Sequence, residues 1–212
     1  MRKLATLISS LVLGGCTVFG IRSGTPQPAY TVTGHIGALE LRRYGPRLAA
    51  DVTVPGSEID ARSAGFRTLA GYIFGANTKQ GGGSGTIEMT APVEQARGEK
   101  VAMTAPVAQE RAGKDGWTVR FFLPAAMTLA TAPRPRDPAI HLVEVPPAEM
   151  AVLRFSGIPG KEAVATERAR LLAAIEASAW KAVGEPVAWF YDPPWTLPWL
   201  RRNEVAVPVE RR

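Results

Sequence analysis

A seven-residue phrase near the middle of the chain constrains its fold more than any other stretch. Ile87-Glu88-Met89-Thr90-Ala91-Pro92-Val93 returns fourteen residues later as Val101-Ala102-Met103-Thr104-Ala105-Pro106-Val107. Proline has no N–H and biases its predecessor towards extended geometry, so each copy reads as a strand that ends at its proline. With Glu94–Lys100 as a polar connector, the two copies predict a hairpin-like pair of strands.

Flanking segments extend this into a mixed architecture. Tyr30–Thr33 and Leu39–Arg42 alternate apolar and polar residues, and Leu48, Ala50, Val52 and Val54 alternate with Ala49, Asp51 and Thr53. Ser57 opens a helix with Glu58 and Asp60 in its first turn, Ile59, Phe66, Leu69, Ala70 and Ile73 recur at helical spacing, and Gly75 stops it. Gly81–Gly85 reads as a flexible loop, not a phosphate loop, because no Lys-Ser/Thr follows it.

Trp117–Leu123, Ile140–Val145, Met150–Phe155, Val187–Tyr191 and Glu204–Val209 read as further strands. Thr131–Pro138 reads as a crossover, and a second helix follows Gly160. At a constant offset of 102 residues, Leu48, Ala50, Leu69, Ala70 and Ile73 fall on Met150, Val152, Leu171, Leu172 and Ile175. Matching apolar positions in a strand and a helix suggest two duplicated halves around a hollow or groove.

The first residues are set apart from this fold. Arg2 and Lys3 precede an apolar run, Leu4 to Leu13, too short to span a bilayer, and Gly14-Gly15 lead into Cys16. The arrangement resembles a bacterial lipobox. It predicts a signal peptide over residues 1–15, diacylglycerol on Cys16, a tether to residue 29 and one domain over 30–212. Thr17 in place of Asp favours the outer membrane, with the domain in the periplasm. Cys16 is the single cysteine, so intrachain disulfides and Cys₂ metal sites are excluded. Once Arg2 and Lys3 are removed, 23 basic residues face 19 acidic ones, a balance near +4. No basic run or nucleic-acid motif accompanies that charge.

The succession Glu40-Leu41-Arg42-Arg43-Tyr44, Gly65-Phe66-Arg67-Thr68-Leu69-Ala70-Gly71-Tyr72-Ile73-Phe74-Gly75, the twin phrases, Trp117-Thr118-Val119-Arg120-Phe121-Phe122-Leu123-Pro124 and Arg202-Asn203-Glu204-Val205 resembles the SOUL haem-binding family. Coverage runs from about Tyr30 to Val209. The resemblance implies an α+β fold: a distorted eight-stranded β-barrel flanked by two helices, with pseudo-two-fold duplicated halves. It also implies non-covalent binding of haem b or a related tetrapyrrole in a hydrophobic groove, without catalysis. The family's axial histidine would stand at Arg43, which cannot ligate iron, so the expectation is a groove without an axial histidine.

Arg42, Arg43, Arg67 and Lys79 are candidate propionate partners, with a solvated surface as the simpler role for each. Met89 and Met103 are candidates to line the site or ligate iron, core packing being the simpler role. His35 and His141 read as surface or hydrogen-bonded structural histidines. No Cys-x-x-Cys-His, Gly-x-Ser-x-Gly or His-Glu-x-x-His occurs, so neither covalent haem attachment nor a catalytic constellation is expected. Glu40 with Arg42 on one strand face reads as a structural ion pair. An alternative from a different class is a protein-interaction module of the same fold, using Trp195 and Trp199 in the proline-rich loop 192–200.

Overall fold

A computed structural model describes residues 24–97 and 116–212. Cys16, the apolar run before it, and the second phrase with Met103 lie outside these residues. Among the described residues twelve strands and two α-helices follow one another: β1 (Tyr30–Ile36), β2 (Leu39–Tyr44), β3 (Arg47–Pro55), α1 (Glu58–Ile73), β4 (Asn77–Thr78), β5 (Val93–Arg97), β6 (Gly116–Phe122), β7 (Arg134–Pro135), β8 (Ile140–Val145), β9 (Ala148–Phe155), α2 (Lys161–Glu176), β10 (Trp180–Ala182), β11 (Val187–Phe190) and β12 (Asn203–Arg211).

Ten strands form one sheet, in the order β1-β2-β9-β12-β11-β5-β6-β3-β8, with β10 added to β12. All its pairings are antiparallel. The fold is therefore α+β with two helices, as expected. The expected eight-stranded closed barrel is not seen: among the described residues no pairing joins β1 to β8.

The halves are related, and they exchange their edges. Taken from the sheet's centre outwards, β5-β6-β3-β8 mirrors β11-β12-β9-β2. Yet β2 leads into β3 and pairs with β9, while β8 leads into β9 and pairs with β3. Each half thus supplies the outer neighbour of the other's central strand.

Both helices cover the same face. Leu69, Tyr72 and Ile73 of α1 pack on Leu48, Ala50, Val52, Val119 and Phe121. Val164, Leu171 and Ile175 of α2 pack on Ala151, Leu153, Val205 and Val207. The 102-residue offset holds for the helices, where Leu69 and Ile73 correspond to Leu171 and Ile175. It fails by one residue in the strands: Leu48 and Ala50 face α1, but Met150 and Val152 face away from α2 and pack with Tyr44, Trp189 and Ala206. In a strand a one-residue slip reverses the face.

The first Met-Thr-Ala-Pro phrase is not a strand ending at its proline. Residues 87–92 cross the sheet's end as irregular chain, tied by Ile87 N to Ile73 O (2.7 Å), by the Thr90 hydroxyl to Phe122 O and by Ala91 N to Pro26 O (2.9 Å). The Ala91–Pro92 peptide is cis. The strand begins after the proline, and Val93–Arg97 pairs on both sides, so Glu94 belongs to a central strand instead of a connector. A central strand needs its N–H groups, which confines Pro92 to its entrance.

Two smaller expectations also change. The Thr131–Pro138 crossover contains β7, paired with β4. The glycine loop is clamped at Gly85, whose N–H and C=O both bond the buried Asn77 side chain at 3.0 and 2.7 Å.

Candidate functional site

On the sheet face opposite the helices, one line of paired positions crosses seven strands: Arg154, Glu204, Trp189, Glu94, Arg120, Asp51 and His141. Most of their side chains, with neighbours on the same face, form two ionic clusters joined through Trp189.

Glu204 is fully buried and anchors the first cluster. It accepts Arg42 Nη1 at 2.8 Å and Nη2 at 3.1 Å, Arg202 Nε at 2.9 Å and the Tyr191 hydroxyl at 2.7 Å. Arg42 also donates Nε to Glu40 at 2.7 Å, the ion pair expected from the strand. Burial alone would push the Glu204 carboxyl up, but bonds and charge from Arg42, then Arg202 and Tyr191, hold it below the ordinary carboxylate range. Arg42 is held above its ordinary value because Glu204 outweighs its burial. Burial and the Glu204 charge push the Tyr191 hydroxyl well up.

In the second cluster Arg120 grips Asp51 with two bonds, 2.7 Å from Nε and 2.6 Å from Nη2, and reaches Glu94 at 2.9 Å. The other Glu94 oxygen accepts the Trp189 indole N–H at 2.8 Å. Every carboxylate on this face is therefore engaged by a cation or an indole.

Between the clusters opens a cleft lined by Gln27, Pro28, Tyr30, Tyr44, Arg47, Pro92, Phe122, Trp189 and Tyr191. The enclosed room at its floor is about 10 Å³, enough for no more than about one water molecule. Pockets for drug-sized ligands hold roughly 300–1,000 Å³. A tetrapyrrole macrocycle does not fit inside it. Burial raises the Tyr44 hydroxyl to about 12.

A different, apolar surface lies on the helix side. Ile59, Arg62 and Phe66 share one face of α1 by their spacing of three and four. Arg62 donates to Pro159 O at 3.1 Å, drawing the β9–α2 loop against α1, and Gly157 N donates to Pro198 O at 2.9 Å, drawing in the proline-rich loop. Ile59, Phe66, Ile158, Trp199 and Leu200 are all exposed around this corner, Trp199 to 69%.

The residues singled out from sequence are scattered, not gathered. Arg42 is buried and committed to Glu204, while Arg43 points to the other face, exposed beside Glu149 at 3.4 Å. Adjacent residues of one strand cannot share a face. Arg67 and Lys79 are exposed, Arg67 next to Phe66 on α1. Met89 packs against the core beneath α1, the simpler of its two roles. His35 and His141 are exposed on β1 and β8, at opposite edges of the sheet. Sequence reasoning missed the Arg120 cluster and Glu204. A charged residue inside a β-prone run, such as Arg120 in Trp117–Leu123, is the signal that pointed to them.

An α+β sheet covered by two helices, with charged clusters buried on its other face and an apolar corner beside α1, defines the class. The chain belongs to the SOUL heme-binding protein family, matching it over residues 25–208. No curated protein sequence matches it. Among solved structures it resembles the EcmrR C-terminal domain, with a TM-score of 0.57 and 12% identity, covering 86% of this chain and 99% of that one. EcmrR in its complex with DNA gives a TM-score of 0.53 at 11% identity, over 100% of this chain and 67% of that one. An uncharacterized conserved protein from Listeria innocua gives 0.51 at 15% identity, over 81% and 92%. At these identities the likeness is one of fold.

Proposed function

We propose that the protein binds haem or a related tetrapyrrole non-covalently on the corner formed by α1, the 156–160 loop and the 193–200 loop, and buffers or carries it without catalysis. Family membership supports the ligand class, and the exposed apolar corner supports the place. Phe66, Ile158 and Trp199 would take the macrocycle against their apolar surfaces, with Arg62 and Arg67 on α1 available to the propionates. Neither described histidine lies on α1 or the two loops, so binding there proceeds without an axial histidine. The engagement of every described carboxylate on the sheet face opposite the helices by a cation or indole favours structural over acid–base duty for these groups.

Titrating the detergent-solubilised full chain with hemin tests this reading. A saturable Soret shift with tryptophan quenching is expected. A Phe66→Ala/Trp199→Ala variant should bind about tenfold or more weakly, the loss of 1.4 kcal/mol or more. Absence of saturation at micromolar hemin would sink it. In that case the two exposed tryptophans, Trp195 and Trp199, favour the second reading, a protein-interaction module.

The same reading places the protein on a bacterial membrane facing the periplasm, through lipid on Cys16. Palmitate label should enter the wild-type chain and be lost completely in Cys16→Ser, which should then fractionate as soluble protein. Equal labelling of both would remove the anchor from the proposal. Among the described residues no helix is long and apolar enough to cross a membrane.

A further inference from the structure

We propose that the 193–200 loop docks on a lipid bilayer, with Trp195 and Trp199 seated at the headgroup boundary. The inference rests on the membrane-anchored reading and does not need a tetrapyrrole.

The loop holds its tryptophans out without being slack. Tyr191 N donates to Arg202 O at 3.3 Å and Arg202 N to Asp192 Oδ2 at 2.7 Å, which closes the stem. Within the loop the buried Thr196 donates its N–H to Pro193 O at 3.1 Å, and Leu200 N donates to Leu197 O at 2.9 Å. Arg201 clasps the same backbone, donating Nε to Thr196 O at 2.8 Å and Nη2 to Pro194 O. Pro193, Pro194 and Pro198 fix three further backbone angles. On this frame Trp195 stays 63% exposed and Trp199 69%, with Leu200 and Ile158 exposed as well. A clustered apolar surface of that kind marks an interaction site. A loop already pinned loses little freedom when it docks.

The position of the chain's tether favours lipid as the partner. Gln27 Oε1 accepts from Arg202, at the loop's stem, at 3.2 Å, and Pro26 O accepts from Ala91 N at 2.9 Å. Gly24, where the described chain begins, is eight residues on from Cys16. A lipid on Cys16 therefore keeps Gly24 within about 29 Å of the bilayer, the reach of eight fully extended residues. Tethering at this range raises the effective concentration of the surface, so weak contacts suffice. Tryptophan suits that place, because its indole joins an apolar body to one N–H donor, the pattern that settles at membrane–water boundaries. Charge agrees with the assignment. In segments 154–162 and 192–201 Arg154, Lys161 and Arg201 outnumber Asp192 and Glu162, and Asp192 is turned to the Arg202 N–H. Anionic headgroups are therefore not repelled. Trp199 also belongs to the tetrapyrrole corner, which puts that corner at the bilayer surface.

The test reconstitutes the full chain, without hemin, in vesicles of phosphatidylcholine and phosphatidylglycerol in equal parts. Phosphatidylcholine brominated high on its acyl chains quenches only those tryptophans that reach the bilayer. Bromination should lower wild-type emission, and the loss should vanish in Trp195→Phe/Trp199→Phe, because Trp117, Trp180 and Trp189 are half-buried or buried. Trp195→Asp, which puts a charge at the tip, should reduce the quenching of the remaining Trp199. Its hemin titration in detergent should stay unchanged. Flotation with the vesicles but no quenching would overturn the docking and leave the anchor standing; iodide reaching both tryptophans in that state would point to a protein partner instead. Undiminished quenching of Trp199 in Trp195→Asp would also overturn the docking, and failure to float at all would overturn both readings. A chain that takes no palmitate label yet shows the quenching would remove the anchor and keep the docking.

Discussion

Replacing Glu204 with alanine is expected to lower the unfolding free energy by about 3–5 kcal/mol, the usual cost of removing one member of a buried ion pair. The substitution leaves the buried Arg42 with Glu40 alone, removes one acceptor from Arg202 and orphans the Tyr191 hydroxyl. Urea denaturation followed by far-UV dichroism checks it, and a loss under about 1 kcal/mol would mean water can enter the cluster.

The same carboxylate makes stability depend on pH. Its folded pKa lies below its unfolded value, so the unfolded chain takes up the proton first as pH falls. The stabilisation is therefore fully present above the ordinary Glu value of about 4.3 and is lost as pH drops from there through the folded pKa. The stability gap between wild type and Glu204→Gln should be flat from pH 6 to 8 and narrow below that threshold. A gap that widened in acid would contradict the cluster as described.

Gly65→Ala is expected to cost up to about 3 kcal/mol, although alanine is the better helix former by roughly 1 kcal/mol. A Cβ at Gly65 would meet Val119 Cγ2 at 2.5 Å and Val119 Cβ at 2.7 Å. The methyl can rotate away; the Cβ moves only with the backbone of β6. Glycine thus sets how closely α1 lies on the sheet. Pairing Gly65→Ala with Val119→Gly should restore much of the loss beyond additivity, measured as a double-mutant cycle. Simple additivity would show that the contact is not what limits the approach.

Local pattern made most elements of this fold legible. Alternation marked β1, β2 and β3, a β-prone run marked β6, and Ser57 and Gly75 bracketed α1, where the Ser57 hydroxyl accepts Asp60 N at 3.3 Å and Gly75 takes a φ of +120°. What escaped was whatever depends on partners distant in sequence. Pro92 looked like an ending because a proline stops a ladder from either side, and only the pairing with β6 and β11 shows that it is an entrance. Arg42 and Arg43 both read as candidate propionate partners, whereas the two-residue period of a strand sends them to opposite faces. Arg47 is an unremarkable arginine after a turn until Arg42, Arg120 and Arg202 are seen to be matched to carboxylates on its face. The family phrases proved architectural: Glu40, Arg42, Arg202 and Glu204 hold β2 and β12 to one buried centre across β9.

The exchange of outer strands governs how this chain can be made. Glu40 waits for Val152, and Asp51 waits for His141, before either central strand has its second neighbour. Such distant pairings pay loop-closure entropy before they return any contact, which slows folding. During synthesis the first half emerges with β3 lacking its outer partner until β8 appears. The half-made chain is an open edge waiting on residues not yet translated, so the domain assembles as one piece, late, after β12 has left the ribosome.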